Sequence, residues 1–387
     1  MKAGAIISVA LTLLAATAPA QWDIQDSHTT ASLRGIDNVG SGVAWASGTN
    51  GTILRTEDGG YVWQLCAIPP GAEKFDFRGI QAFDANTAIV MSSGKGDLSR
   101  LYKTTDGCQT WKLVFTNPDK DGFWDAIRFD SKPIKPDNYG PHDRCFGVLL
   151  GDPVDGRFPH FLSFDCGNHW ERQIRQSPDA QIGEGVFAAS NSSLQVESMG
   201  SRTFVTGGPS GPRILYLGIG PEGCLSGPPD PQKVMPGSPA FRFVSGHWNV
   251  DKLPLASSSN TSGAFSIASG SGQTVVVGGN FEHPNNGAAW YVTPSYPFGF
   301  KLAQTPPHGY RSAVAYDAQQ KLWITVGPNG TDISTDDGRN WRSLKPSPTD
   351  PPDADKNWNA LSLPFVVGPN GRIGKLRPIN LNNNPSQ

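Results

Sequence analysis

The stretch Thr56-Glu57-Asp58-Gly59-Gly60-Tyr61-Val62-Trp63 decides the fold, because its spacing of hydroxyl, acid, glycine and tryptophan returns at 104–111, 163–170 and 334–341. Each copy reads S/T-x-D-x-(G)-x-x-W and sits between two short apolar runs, the setting of a β-hairpin turn. An aspartate in such a turn accepts hydrogen bonds from nearby backbone N–H groups, glycine takes the positive φ, and tryptophan carries apolar surface into the next strand. Recurrence at this scale points to a repeat architecture.

Taking the terminal aromatic of each copy as a ruler, the gap between Trp170 and Trp341 has to hide degenerate copies. The frame 293–300, ending in Phe300, supplies one, and Trp248 supplies another behind a Pro/Gly-rich insertion at 218–239. Trp22 opens a similar strand, so the aromatics fall at 22, 63, 111, 170, 248, 300 and 341. Glycine-rich turns at 47–51, 93–96, 151–156, 207–211, 278–280, 327–330 and 368–371 give each unit an inner hairpin. Nothing resembling a fourth strand follows Leu376, and the Trp22 strand can fill that place. The expected fold is all-β: a seven-bladed β-propeller of four-stranded antiparallel blades over 21–377, closed by the N-terminal strand and followed by a tail at 378–387.

Lys2, an apolar run over 5–16 and Ala18-Pro19-Ala20 form the pattern of a secretory signal peptide, expected over 1–20. The run is shorter than the roughly 20 residues that span a bilayer, so no membrane span is expected. A secreted or periplasmic monomer follows. With 45 Gly, 33 Pro and 10% aromatic residues, the composition favours short strands over long helices. A formal net charge of -2 without a basic run argues against nucleic-acid binding. The seven histidines are scattered and no CxxC or HExxH spacing occurs, so neither a metal nor another cofactor is expected.

The five cysteines are Cys66, Cys108, Cys145, Cys166 and Cys224. Cys145 starts one strand and Cys166 follows the next, so hairpin pairing sets them opposite each other and a Cys145–Cys166 bridge is expected, isolated buried thiols being the alternative. Cys66–Cys108 is a second candidate pair.

The chain resembles the Asp-box (BNR-repeat) propellers and, within them, the exported photosystem II assembly/stability-factor-like propellers of bacteria, also labelled sialidase-like. The resemblance covers about 32–376 and rests on Leu33-Arg34-Gly35-Ile36, Asp76-Phe77-Arg78-Gly79-Ile80, the stretch from Gly151 to Phe158, that from Gly183 to Ser190, and Gly309-Tyr310-Arg311-Ser312. It implies that the box turns lie opposite the ligand face, making Asp58, Asp106, Asp165 and Asp336 structural. It also implies a binding or assembly role, whereas the fold by itself implies none, since a single propeller fold hosts many functions.

The ligand face is then built from the starts of the inner strands. These share a frame of large apolar, variable, small, apolar, whose variable position is read as Arg34, Arg78, Asp125, Glu184, Arg311 and Asn359. Asp152, Asp155 and Arg157 in a long charged turn join them as candidate ligand-binding residues. One reading is a self-satisfied ion-pair ring. The other is a pocket for an anionic group on a protein or glycan, gripped by guanidinium forks. An Arg cluster also evokes sialidases, in which case Asp125 or Glu184 would do acid/base work and Tyr310 would be the nucleophile. That match is partial, because Phe77-Arg78-Gly79-Ile80 lacks the proline of the sialidase signature and no motif places a glutamate beside Tyr310.

Overall fold

The structure, a computed structural model, describes residues 22–130, 145–173, 177–197, 200–217, 247–254, 258–292 and 299–379. The expected signal peptide, the insertion with Cys224, most of the 293–300 frame and the end of the tail lie outside the described residues.

Seven four-stranded antiparallel sheets form the molecule. Blade 1 runs Leu33–Gly40, Val43–Gly48, Ile53–Thr56 and Gln64–Leu65 from the axis outward, and the next five repeat this order. Middle strands such as Ala88–Ser92 and Leu322–Gly327 are buried at every position, whereas the outer Gln64–Leu65 is exposed. That gradient explains the unbroken apolar runs in the sequence: each blade is covered on both faces by its neighbours. One short 3-10 helix, Gly96–Leu98, is the only helix among the described residues.

Each pair of neighbouring blades encloses its own hydrophobic cluster, seven in all. The box tryptophans fill these seams. Trp63 joins the cluster between blades 7 and 1, Trp111 that between 1 and 2, Trp170 that between 2 and 3, and Trp341 that between 5 and 6.

The box turns share one hydrogen-bond pattern. Thr56 Oγ1 donates to Asp58 Oδ1 at 2.9 Å and accepts from the Gly60 N–H at 2.9 Å, while Asp58 Oδ1 accepts from the Val62 N–H at 3.0 Å. Thr104/Asp106, Ser163/Asp165 and Ser334/Asp336 repeat it. Bonds from the Thr110 hydroxyl and N–H hold the Asp106 carboxyl down at about 2. The Gly59 N–H donates to Gly42 O at 2.8 Å, so the box shares a face with the first hairpin turn of its blade. The starts of the inner strands emerge on the opposite face.

Trp22–Gln25 pairs with Ile373–Leu376 in the register Trp22↔Leu376 to Gln25↔Ile373, completing blade 7. Cys145–Cys166 staples blade 3, and Cys66–Cys108 ties blade 1 to the box of blade 2. Trp22 is 1% exposed, packs 5.9 Å from Trp358 and donates from Nε1 to Thr331 Oγ1 at 3.0 Å. Trp22→Ala is therefore expected to lower the unfolding free energy by about 3–5 kcal/mol in urea titration. Ile24→Ala, on the same strand but 42% exposed, is expected to cost no more than about 0.5 kcal/mol; equal effects would show that Trp22 does not lock the ring.

Candidate functional site: an axial funnel closed by the chain itself

The inner strands of blades 1, 2 and 3 each open with a register shift that skips one residue, Arg34, Arg78 and Asp125, and that of blade 5 has the same shift after three paired residues, skipping Phe265. A bulge re-aims the skipped side chain. Arg34, Arg78 and Phe265 thereby line a cavity of about 300 Å³ together with Phe187, Phe281, Tyr310, Ser312, Trp358 and Asn359.

Two residues of the expected ring are out of frame. In blade 6, Ala313 pairs with Val326 and the Ser312 N–H donates to Val326 O, so Ser312 holds the variable position and Arg311 lies one residue earlier, in the wall. In blade 4 the inner strand is Leu194–Val196, ten residues beyond Glu184. The frame misleads at both places because it matches residue types, whereas the position is set by pairing register.

The segment 186–193 crosses the axis between these strands. Asn191 accepts the Ile127 N–H at 2.8 Å and donates to Ile80 O at 3.2 Å, bonding blades 3 and 2. The Ser190 hydroxyl donates to Ser312 O of blade 6 at 2.6 Å, and that of Ser192 to Ser266 Oγ of blade 5 at 2.7 Å. The funnel is thus blind: Phe187, Ala188 and Ala189 form part of its lining and the same segment blocks the channel beneath. Asn191 offers the backbone a donor and an acceptor in one planar group, which suits it to join two strand edges.

Most of the expected charges are internally paired. Glu184 accepts from Arg213 Nε at 2.7 Å, from the Thr206 hydroxyl at 2.6 Å and from the Gln181 N–H at 2.7 Å, with no exposed side-chain surface. Arg311, 1% exposed, is held by Asp332, Asn329 and the Tyr310 carbonyl. Arg157 pairs with Asp179 at 3.1 Å in an exposed turn where Asp155 takes positive φ. Neither Asp155 nor Arg157 lines the funnel. Arg34 and Arg78 differ from these. Their Nε atoms reach the two oxygens of one carboxylate, Asp76, at 3.1 and 2.8 Å, and both side chains are 30% exposed. Burial, and the neighbouring Arg78 charge, lower the Arg34 pKa against the pull of Asp76.

Comparison with known proteins yields no matching family model and no matching curated protein. Solved structures do match. One titled "YCF48 bound to D1 peptide" has a TM-score of 0.57 at 16% identity, covering 92% of this chain and 97% of that one. A second, "YCF48 from Cyanidioschyzon merolae", has a TM-score of 0.54 at 17% identity, covering 93% and 99%. At this identity the likeness is one of fold.

Beside the funnel, the buried Asp125 and the half-buried Asp152 lie close enough for their charges to repel. Burial, reinforced by the Asp152 charge, pushes Asp125 well above the usual carboxylate range, and its Oδ2 has no hydrogen-bond partner among the described residues. Burial also raises Asp152, to about 6, against the Val186 N–H that its Oδ1 accepts at 2.9 Å. A carboxyl raised in the folded state stabilises while protonated, and that contribution is lost as pH rises through the folded value. Asp152→Asn keeps an acceptor for Val186 and removes the charge. It is expected to match the wild type at pH 3 and to exceed it at pH 8 by about 2–3 kcal/mol, about 1.4 kcal/mol per pKa unit, in urea unfolding across pH; a difference independent of pH would refute the raised-acid account.

Proposed function

We propose that this protein is an exported, monomeric, non-catalytic binding or assembly propeller that receives an anionic group of a partner protein, such as a terminal carboxylate, in the axial funnel. The observation that carries this reading is the pair Arg34 and Arg78 sharing the single carboxylate of Asp76 at the wall of a blind, aromatic-lined cavity. Asp125 does not line the cavity, and burial pushes its carboxyl well above the usual carboxylate range. On the cavity wall two guanidinium groups share the one carboxylate of Asp76, and their planar forks suit a second. At about 300 Å³ the cavity is at the small end for ligand sites, so it fits one chain end better than a long segment. A similar propeller has been solved bound to a peptide, which supports a protein over a glycan as partner.

The sialidase-like alternative is disfavoured by the same geometry. Burial raises the Tyr310 pKa, opposing the phenolate a nucleophile requires, Glu184 is consumed by Arg213, and neither Asp125 nor Glu184 lines the funnel. A peptide ending in a free carboxylate is expected to raise the melting temperature of the mature protein, and its C-terminal amide is not. Arg78→Ala should weaken the acid peptide by about 10–100-fold at constant fold, measured by calorimetry. Equal binding of acid and amide would sink the anion site, and turnover of an aryl glycoside lost in Asp125→Asn would overturn the non-catalytic role.

A further inference from the structure

The funnel has a second pole. Phe265 occupies on blade 5 the bulge position that Arg34 and Arg78 occupy on blades 1 and 2. Its ring stacks on Phe187 at 3.9 Å and 9°, and Tyr310 meets it edge-on at 4.7 Å. Phe281 stands at right angles to both stacked rings, 6.2 and 6.3 Å away, and is 46% exposed. This arrangement is built in advance of any ligand. A Cβ at Gly207 or Gly263 would come within 2.5 and 3.0 Å of Phe187 Cε2, so glycine at both positions makes room for its ring. The Asn280 side chain accepts the Glu282 and His283 N–H groups at 2.9 and 3.2 Å, fixing the turn that carries Phe281.

We infer that this Phe187–Phe265–Phe281 shelf is a side-chain-reading subsite: the partner is a polypeptide end whose carboxylate meets Arg34 and Arg78 and whose adjacent residue is aromatic or large and apolar. The inference rests on the anion-binding role proposed above and adds selectivity to it. One cavity thus holds two complementary poles. Charge on blades 1 and 2 fixes the carboxylate, and because the segment 186–193 closes the floor, the side chain next to it has to lie along the wall. That wall offers stacked ring faces and edges, which favour an aromatic guest by offset or edge-to-face contact.

The test uses four synthetic peptides, Ac-Ala-Ala-Ala-Phe and Ac-Ala-Ala-Ala-Ala, each as free acid and C-terminal amide, titrated into the mature full chain by calorimetry. The Phe acid is expected to bind about 10–100-fold tighter than the Ala acid, the range over which apolar pockets discriminate. Phe281→Ala, at an exposed site that leaves the fold intact, is expected to bring that ratio towards one while keeping the preference for acid over amide; Arg78→Ala should do the reverse. A Phe/Ala ratio near one in the wild type, or one unchanged by Phe281→Ala, overturns the shelf whatever the acid/amide ratio. Loss of the acid/amide preference alone overturns the Arg reading but leaves the shelf measurable on the amides. Absence of binding by all four peptides overturns both.

Discussion

Closure of the ring is the constraint on which everything else depends. A blade of this kind has apolar surface on both faces and can bury it only between two neighbours, so seven seams must be filled at once. Trp22 closes the last of them. Its strand supplies the hydrogen-bonding edge that Ile373–Leu376 lacks, while its ring enters the cluster shared by blades 6 and 7. The first and last described strands are thereby joined, and the radial order of strands in blade 7 follows from that join.

Much of this was legible in the sequence because its signals are local. In blades 1, 2, 3 and 6 a box tryptophan sits at the entry of the outer strand because hydroxyl, aspartate and glycine build the preceding turn within eight residues, and no distant partner is needed. The degenerate copies were found by their aromatics: Trp248 directly precedes the outer strand Asn249–Lys252, and Phe300 opens Phe300–Leu302. Cys145 and Cys166 were legible for the same reason, being opposed by one hairpin. Placing Arg34, Arg78 and Asn359 on the funnel needed only the frame of an inner strand.

The site was legible only in part, because burial and pairing are decided at long range. Nothing in the neighbourhood of Arg311 announces Asp332, and nothing near Glu184 announces Arg213. Once paired, those charges became wall. Asp76, by contrast, stood two residues before Arg78 in a stretch already singled out, and could have been weighed as its partner. The aromatic pole is not legible in the sequence because Phe187, Phe265 and Phe281 come from three separate turns or bulges, and only the fold brings their rings together.

Propellers are ordinarily quasi-one-dimensional, each repeat feeling only the one before and the one after. The segment 186–193 breaks that rule. From blade 4 it bonds the inner strands of blades 2 and 6, which are not its neighbours, across separations of 111 and 122 residues. It works as a hub that fixes several spokes to a common centre. A disturbance at one sector of the rim can therefore reach a distant sector through the middle instead of around the circumference, and the floor of the funnel is where those routes cross.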